Sequence, residues 1–586
     1  MPPRQPDAST AQNRYRRFSF PRVRVARGSR EDSDDVIASH IATMHLGQPP
    51  FPVMPEPSVT LFHPNRRALL KASVIAAPAI LLMPSRVFGA WGADLPFTLG
   101  VASGEPWPDS VVLWTRLAPR PLDPDGGMPR KRVPVTWQVA EDAQFSRIVR
   151  SGTAIADPAA GHAVHVEVAG LRPARAYFYR FIAVGQSSPV GRTRTAPERH
   201  ATVDHLRFCF GSCQKYEAGH YAAWRHVVAE DPDLIVFLGD YIYEGDPAVG
   251  GVRRHLNPEP RDVPGYRIRY ATYKLDPLLQ AAHAAAPWIS TWDDHEVAND
   301  YADARDETNG DPVAFLQRRA AAYQVYWEHM PLRSSAHPHG ASARLYRTLD
   351  WGRLAQFQVI DDRQYRAGRA CQPPELALKH LQYLVAVQDC ADRHDPTRTM
   401  LGDQQEKWLL DALGTTRAAW NLLAQQTLMT PFALIDPRSP ERGATLHPVD
   451  RWDGYTAARD RVFRRWVEAK TPNPVVLSGD IHAFTAADIR HPEYPEGAPI
   501  AAEFVGGSIT SINHHPAWRE EAKANPGIRF AENELRGYAR VDLGEARMDV
   551  AFRGLADSRD VASTVSTIAR FEVEAGRPGI ASATSA

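Results

Sequence analysis

The chain has 586 residues, 44% hydrophobic and 23% charged, and its 68 Lys and Arg balance 68 Asp and Glu. This is globular chemistry with length for more than one core. A net charge of zero supplies no basic field, so no nucleic-acid-binding surface is expected. No fixed-period repeat marks a solenoid.

Residues 1–65 are rich in Pro, Ser and Arg and lack periodicity. They read as a disordered extension, or as untranslated sequence ahead of a start at Met54. "NRRALLKASVIAAPAILLMPSRVFGA" then pairs Arg66 with Arg67, adds Lys71 and an apolar run to Met83, and leaves through small residues. This predicts a twin-arginine export signal over 66–93, cut near Ala90 or Ala93. The run from Ala72 to Met83 is too short to span a bilayer comfortably, and Pro78, Pro84 and the missing polar face argue against a buried helix. The expected location is periplasmic or secreted, with the twin-arginine export machinery as a partner and no permanent membrane anchor. Export permits a disulfide, and Cys371 and Cys390 could close a loop worth about 3 kcal/mol.

From 94 to 197 the texture is β. "SVVLWTRL", "VPVTWQVA", "HAVHVEVAG" and "AYFYRFIAV" alternate between Pro, Gly and Asp turns,. "LRPARAYFYRF" has the pattern of a tyrosine corner, which predicts an N-terminal β-sandwich. After a linker over 193–205 the texture changes. Strands "HLRFCF", "DLIVFL", "PWISTW" and "NPVVLS" alternate with helical patterns at 219–231, 266–286, 312–330, 403–413 and 456–469. That alternation predicts an α/β layered domain over 204–578. "YARVDLG", "MDVAFRG" and "TIARFEVEA" read as closing strands, and "ASATSA" as a loose tail,.

Each of the four apolar strands runs into a polar cluster: Gly211-Ser212-Cys213-Gln214, Gly239-Asp240-Tyr241-Ile242-Tyr243, Asp293-Asp294-His295-Glu296 and Ser478-Gly479-Asp480-Ile481-His482. Ligands bind outside the carboxyl ends of strands in open α/β sheets, so the four ends are expected to converge. Carboxylate, phenolate, thiolate and imidazole together suit a highly charged ion such as Fe(III) beside an oxygen-loving divalent ion. Buried acids without matching Lys or Arg need such a cation. Each motif alone is modest evidence. A lone Gly-Asp is often only a turn, Cys213 alone is more often a small buried hydrophobe, and Tyr243 could be a packing residue.

Taken in order, "LGVASGEPWPDSVVLWTRL", "FGSCQ", "FLGDYIYE", "WDDHEVAND", "DDRQYR", "LGDQQEKWL", "WDGY", "LSGDIHAF" and "EFVGGSITS" resemble the alkaline phosphatase D (PhoD-like) branch of calcineurin-like metallophosphatases. The resemblance runs from about Leu95 to the C-terminal strands. It implies a fibronectin type III-like sandwich followed by a four-layer αββα domain with a two-metal centre of Fe(III) and Ca(2+). It implies Cys213, Asp240 (bridging), Tyr243 and His482 toward the iron, and Asp294, Asn299 and Asp480 toward calcium. Asp300 departs from the family pattern. His295 is then the catalytic, non-ligand histidine, with a structural role orienting Asp294 as the alternative.

The implied activity is hydrolysis of small phosphate monoesters, and also diesters, by a hydroxide activated between two metals about 3.5–4 Å apart. His295 would protonate the leaving alkoxide, worth on the order of 10²–10⁴ in rate. A phosphodiesterase with phospholipase D-like activity is the alternative enzyme, and a secreted binding protein with a degenerate metallophosphatase domain the non-enzymatic one. Cys209, from mid-strand, reads as core. Arg363 could grip phosphate or pair with Asp361 or Asp362. His514 and His515 follow "GGSITS" and could line the pocket.

Overall fold

The computed structural model describes residues 96–308, 310–371, 384–386, 390–435, 445–515 and 517–585. The extension and the export signal expected over 1–93 lie outside the described residues. Among the described residues, no helix is long and apolar enough to cross a membrane.

Two large sheets organise the chain. One has ten strands in the order Arg577–Ser585, Val565–Glu574, Arg547–Leu555, Gly537–Gly544, His205–Gly211, Leu234–Leu238, Trp288–Thr291, Val101–Gly104, Ser110–Arg116 and Ala163–Ala169. The other has seven, in the order Arg347–Trp351, Ala355–Val359, Trp420–Ala424, Pro474–Ser478, Pro499–Gly506, Phe484–Arg490 and Ile528–Glu532. His205–Gly211, Leu234–Leu238 and Trp288–Thr291 pair in parallel, as do Ala355–Val359, Trp420–Ala424, Pro474–Ser478 and Pro499–Gly506. Parallel strands of this kind are buried on both faces, which is why their sequences run apolar without alternating.

Among the described residues the α-helices are α1 (Ala222–Ala229), α2 (Val263–Lys274), α3 (Pro277–Ala285), α4 (Pro312–His329), α5 (Gly402–Thr415), α6 (Thr456–Ala469) and the short α7 (Trp518–Lys523). The pattern over 266–286 is two helices. Asp276 accepts from the Leu278 and Leu279 N–H groups, and Pro277 opens α3, so the chain stops and restarts there,. Asp262 and Asp311 start α2 and α4 in the same way. Phe208, Val236 and Ile289 share one apolar cluster with Phe357, Leu422, Val475 and Phe504, between the two sheets. Cys209, Ile235 and Phe237, pointing the other way, pack with side chains of α1 to α4. Leu423 and Val476 pack with α5 and α6.

The N-terminal β segment is continuous with the largest sheet of the α/β region. Val101–Gly104 pairs in parallel with Trp288–Thr291 through Gly104 and Trp288, so Ser110–Arg116 and Ala163–Ala169 extend the ten-stranded sheet. A five-stranded sheet of Ile148–Ala156, Val133–Ala140, Ala176–Ala183, Gln186–Ser187 and Gly191–Arg194 encloses a core with them, including Val111, Leu113, Val135, Val166, Tyr179 and Phe181. The Tyr177 hydroxyl accepts from the Arg172 N–H at 2.9 Å.

The expected loose tail is corrected. Arg577–Ser585 is an edge strand on Val565–Glu574. Only Gly579 and Ile580 of it are buried, so its backbone ladder forms with almost no apolar side-chain signal,. Cys371 and Cys390 form a disulfide with Cα atoms 5.5 Å apart.

Candidate metal centre

The four strand ends meet because two glycines let them. A Cβ at Gly239, whose φ is +102°, would meet the Asp293 backbone nitrogen at 2.7 Å. One at Gly479 would meet Ser212 Oγ at 2.5 Å and Cβ at 2.7 Å. The second strand end thus packs on the third, and the fourth on the first. Backbone bonds lock them: the Cys213 N–H donates to the Gly239 carbonyl at 3.0 Å, and the Gly479 N–H to Gln426 at 2.7 Å.

Four of the expected ligands carry positive φ: Cys213 (60°), Asp240 (58°), Asp480 (64°) and His482 (55°). Left-handed non-glycine residues cost of order 1–3 kcal/mol each and persist where surroundings over-determine them, typically at functional sites. Here the strain aims side chains inward at the sheet ends.

Three sets of ligand atoms lie within 4.8 Å of one another: Cys213, Asp240 and His482; Asp240, Asp294 and His295; Asp293, Asp294 and Asp480. Asp240 belongs to two sets and Asp294 to two, so the groups form one chain of donors. Tyr243 joins at Asp240, its Oη lying 2.6 Å from Asp240 Oδ2, 2.9 Å from His482 Nε2 and 2.7 Å from Ser511 Oγ.

The donors suit a cation. Asp240 Oδ1 and Asp293 Oδ2 are buried with no hydrogen-bond partner, a costly state for a carboxylate. His482 Nδ1 faces the Ile512 carbonyl at 3.1 Å. That carbonyl only accepts, so the neutral ring presents a lone pair at Nε2. Tyr243 has a single proton for two acceptors, Asp240 and His482. More lone pairs than protons converge there.

Electrostatics agree. Burial, then the Asp240 charge, raises the Cys213 thiol and the Tyr243 phenol well above their usual ranges. Burial and Asp240 also push the Glu296 carboxyl up to about 8. A bound cation reverses this logic for coordinating groups. For His295 burial favours the neutral ring, but Glu244, Asp240 and Asp294 outweigh it and raise the imidazolium well above the ordinary histidine range. His295 Nδ1 lies 2.7 Å from Glu244 Oε2, and its ring packs 4.1 Å from that of Tyr243.

Asn299 sits differently. Its N–H donates to Glu244 at 2.6 Å and its side-chain Nδ2 to Glu307 at 2.8 Å. The Arg363 guanidinium lies within ion-pair distance of Asp362, at 3.7 Å, but its hydrogen bonds go elsewhere. Fully buried, it donates from Nε to Asp293, from Nη1 to Asp450 at 2.7 Å and from Nη2 to Asp480 at 3.0 Å. Asp361 instead accepts from the Arg363 and Gln364 N–H groups. His514 and His515 line a cavity of about 570 Å³ with Asn513 and Arg536, next to His482, whose carbonyl accepts from Arg536 at 2.7 Å. Cys209 is core, as expected.

Two residues escaped the sequence reading. Glu244 is the last letter of "FLGDYIYE", and Ser511 the last of "EFVGGSITS". Both motifs were visible, but only the fold shows what their final residues touch.

Comparison with known proteins identifies the family. The sequence pattern of the PhoD-like phosphatase family matches residues 208–552, and that of the PhoD-like phosphatase N-terminal domain matches 84–197. Alkaline phosphatase D of Bacillus subtilis (strain 168) is 43% identical over 538 residues, covering 88% of each chain. A solved structure of PhoD superposes with a TM-score of 0.77 at 41% identity, covering 84% of this chain and 93% of that one. The non-enzymatic reading falls away, and the chain belongs to the PhoD-like phosphatases and is a phosphoric ester hydrolase.

Proposed function

We propose that the protein is an exported, metal-dependent phosphatase of the alkaline phosphatase D type, cleaving small phosphate monoesters and also diesters. The observation that carries this is Asp240: buried, with an unpartnered oxygen, and shared by two ligand sets. In this reading Cys213, Asp240, Tyr243 and His482 hold Fe(III), and Asp240, Asp294, Asn299 and Asp480 hold Ca(2+). When bound, the ions neutralise phosphoryl charge and lower the pKa of coordinated water.

The protein's own groups supply the rest. Glu244 fixes the His295 ring and keeps it protonated. The imidazolium is placed to give its proton to the departing alkoxide oxygen, and Glu244 balances its charge until the proton is transferred. Arg363, spread over Asp293, Asp450 and Asp480, spaces those carboxylates instead of binding substrate.

The proposed architecture is a fibronectin-like sandwich over 94–197 and a four-layer αββα domain over 204–578. Apolar clusters between the sheets and on their helix-covered faces support it. Arg66, Arg67 and the short apolar run support twin-arginine export to the periplasm or exterior.

Metal analysis and a visible spectrum of protein taken from its export route test the ligand set. Thiolate and phenolate on Fe(III) give a charge-transfer band, and a colourless active protein holding only zinc or calcium refutes iron. Release from p-nitrophenyl phosphate against bis-p-nitrophenyl phosphate ranks monoester against diester. Full activity after chelation sinks the metal mechanism.

A further inference from the structure

The "GGSITS" segment over 506–511 follows the strand Pro499–Gly506 and folds back over two ligand loops. The Ile509 N–H donates to the Ser212 carbonyl at 3.0 Å, the Ser511 N–H to the Cys213 carbonyl at 3.2 Å, and Thr510 Oγ1 to the Lys215 carbonyl at 2.8 Å. Arg536 reaches both the His482 and Ser511 carbonyls. The segment is a clasp between the Cys213 loop and the His482 loop. At its end Ser511 is fully buried, its Oγ 2.7 Å from Tyr243 Oη and 2.8 Å from the Cys213 carbonyl.

We infer that Ser511 is a positioning residue that donates its hydroxyl proton to the Tyr243 phenolate when the site is loaded. This rests on the ligand reading proposed above. Tyr243 Oη has three polar side-chain neighbours, Asp240, His482 and Ser511. Once the phenol proton leaves, Asp240 and His482 are ligands beside it, with no proton to give. Ser511 is the neighbour that still carries one. Its alternative acceptor is the neutral Cys213 carbonyl, and a hydrogen bond to a charged oxygen is roughly twice as strong as a neutral one. The Lys215 N–H, 3.3 Å from Ser511 Oγ, satisfies a serine lone pair and leaves its proton free for the phenolate.

A donor on a ligand oxygen draws electron density from it and fixes its direction. Losing the donor makes the phenolate a richer electron source, so its charge-transfer band moves to longer wavelength. The test uses full-length iron-loaded protein and reads the spectrum as well as the iron content. Ser511→Ala is expected to shift the band to longer wavelength and to weaken iron binding about tenfold, and Ser511→Thr to restore the band. In the unaltered protein, the phenolate C–O vibration seen by resonance Raman is expected to shift in D2O, a readout that needs no variant to fold. A Ser511→Ala protein with full iron and an unmoved band overturns the proposal, as does a C–O vibration indifferent to D2O. Unaltered protein that binds iron with no such band overturns the ligand reading instead, and the inference with it.

Discussion

Where the strand Ser110–Arg116 meets α4, Glu328 is fully buried and both its oxygens are taken. Arg267 donates to them from Nε at 2.7 Å and Nη2 at 2.6 Å, and Gln324 at 2.9 Å. Beside it Arg116 Nη1 faces His329 Nε2 at 2.9 Å, while His329 Nδ1 donates to the Val325 carbonyl at 2.8 Å. At the strand ends the balance is reversed. Asp293, Asp294 and Asp480 converge on the Arg363 guanidinium, Asp480 is also reached by Arg451 at 3.2 Å, and one oxygen each of Asp240 and Asp293 has no hydrogen-bond partner. Both regions bury charge. The first saturates its carboxylate with donors from the protein itself and holds the fold together; the second carries carboxylate oxygens in excess of protein donors, a surplus that a cation offsets,.

The comparison breaks most visibly at the open region. His295→Ala should lower turnover on p-nitrophenyl phosphate by roughly 10²–10⁴ with metal content unchanged, and metal lost in proportion to activity would make His295 a ligand. At the closed region Glu328→Gln leaves Arg267 without its buried partner and should cost about 3–5 kcal/mol in urea unfolding. Asp240→Asn in metal-free protein should cost nothing, or stabilise, because it removes an uncompensated charge. Equal losses from the two changes would erase the distinction. Ions added to metal-free protein at a hundred times their Kd should stabilise it by about 2.7 kcal/mol, an increment that Asp240→Asn abolishes.

The smallest effect is a pH slope at the closed region. Burial, then Arg116, lowers the His329 pKa well below the ordinary range. The folded protein keeps this ring neutral while the unfolded chain protonates it below about 6.5. Its contribution is therefore present above that pH and lost as pH falls, at up to about 1.4 kcal/mol per unit. His329→Gln should flatten this part of the stability profile, and an unchanged slope would mean that the ring titrates freely.

The open region was largely legible in the sequence, because each of its parts is local. An apolar strand, a Gly and a polar side chain fall close together in the chain, and the pattern recurs. What closes it was not legible. The partners of Arg363 lie 70, 87 and 117 residues away, and no periodicity encodes pairing over such spans. The adjacent acids were the partners that the sequence could offer, and of these Asp362 lies within ion-pair distance at 3.7 Å. The break at Asp276 was readable as Asp-Pro, but the apolar spacing ran across it. Arg577–Ser585 left no trace because its pairing uses backbone groups and, Ile580 apart, it has no buried apolar side chain to mark it.

The pairing of Gly104 with Trp288 makes the N-terminal β segment a poor module. Truncation ahead of residue 204 would strip Val101–Gly104 from the strand Trp288–Thr291, which leads directly into Asp293 and Asp294. That strand would become a raw, apolar sheet edge, open to pairing with another chain. The two halves recognised by separate family patterns are in mechanical terms one part, and a shortened enzyme is expected to aggregate before its chemistry can be measured.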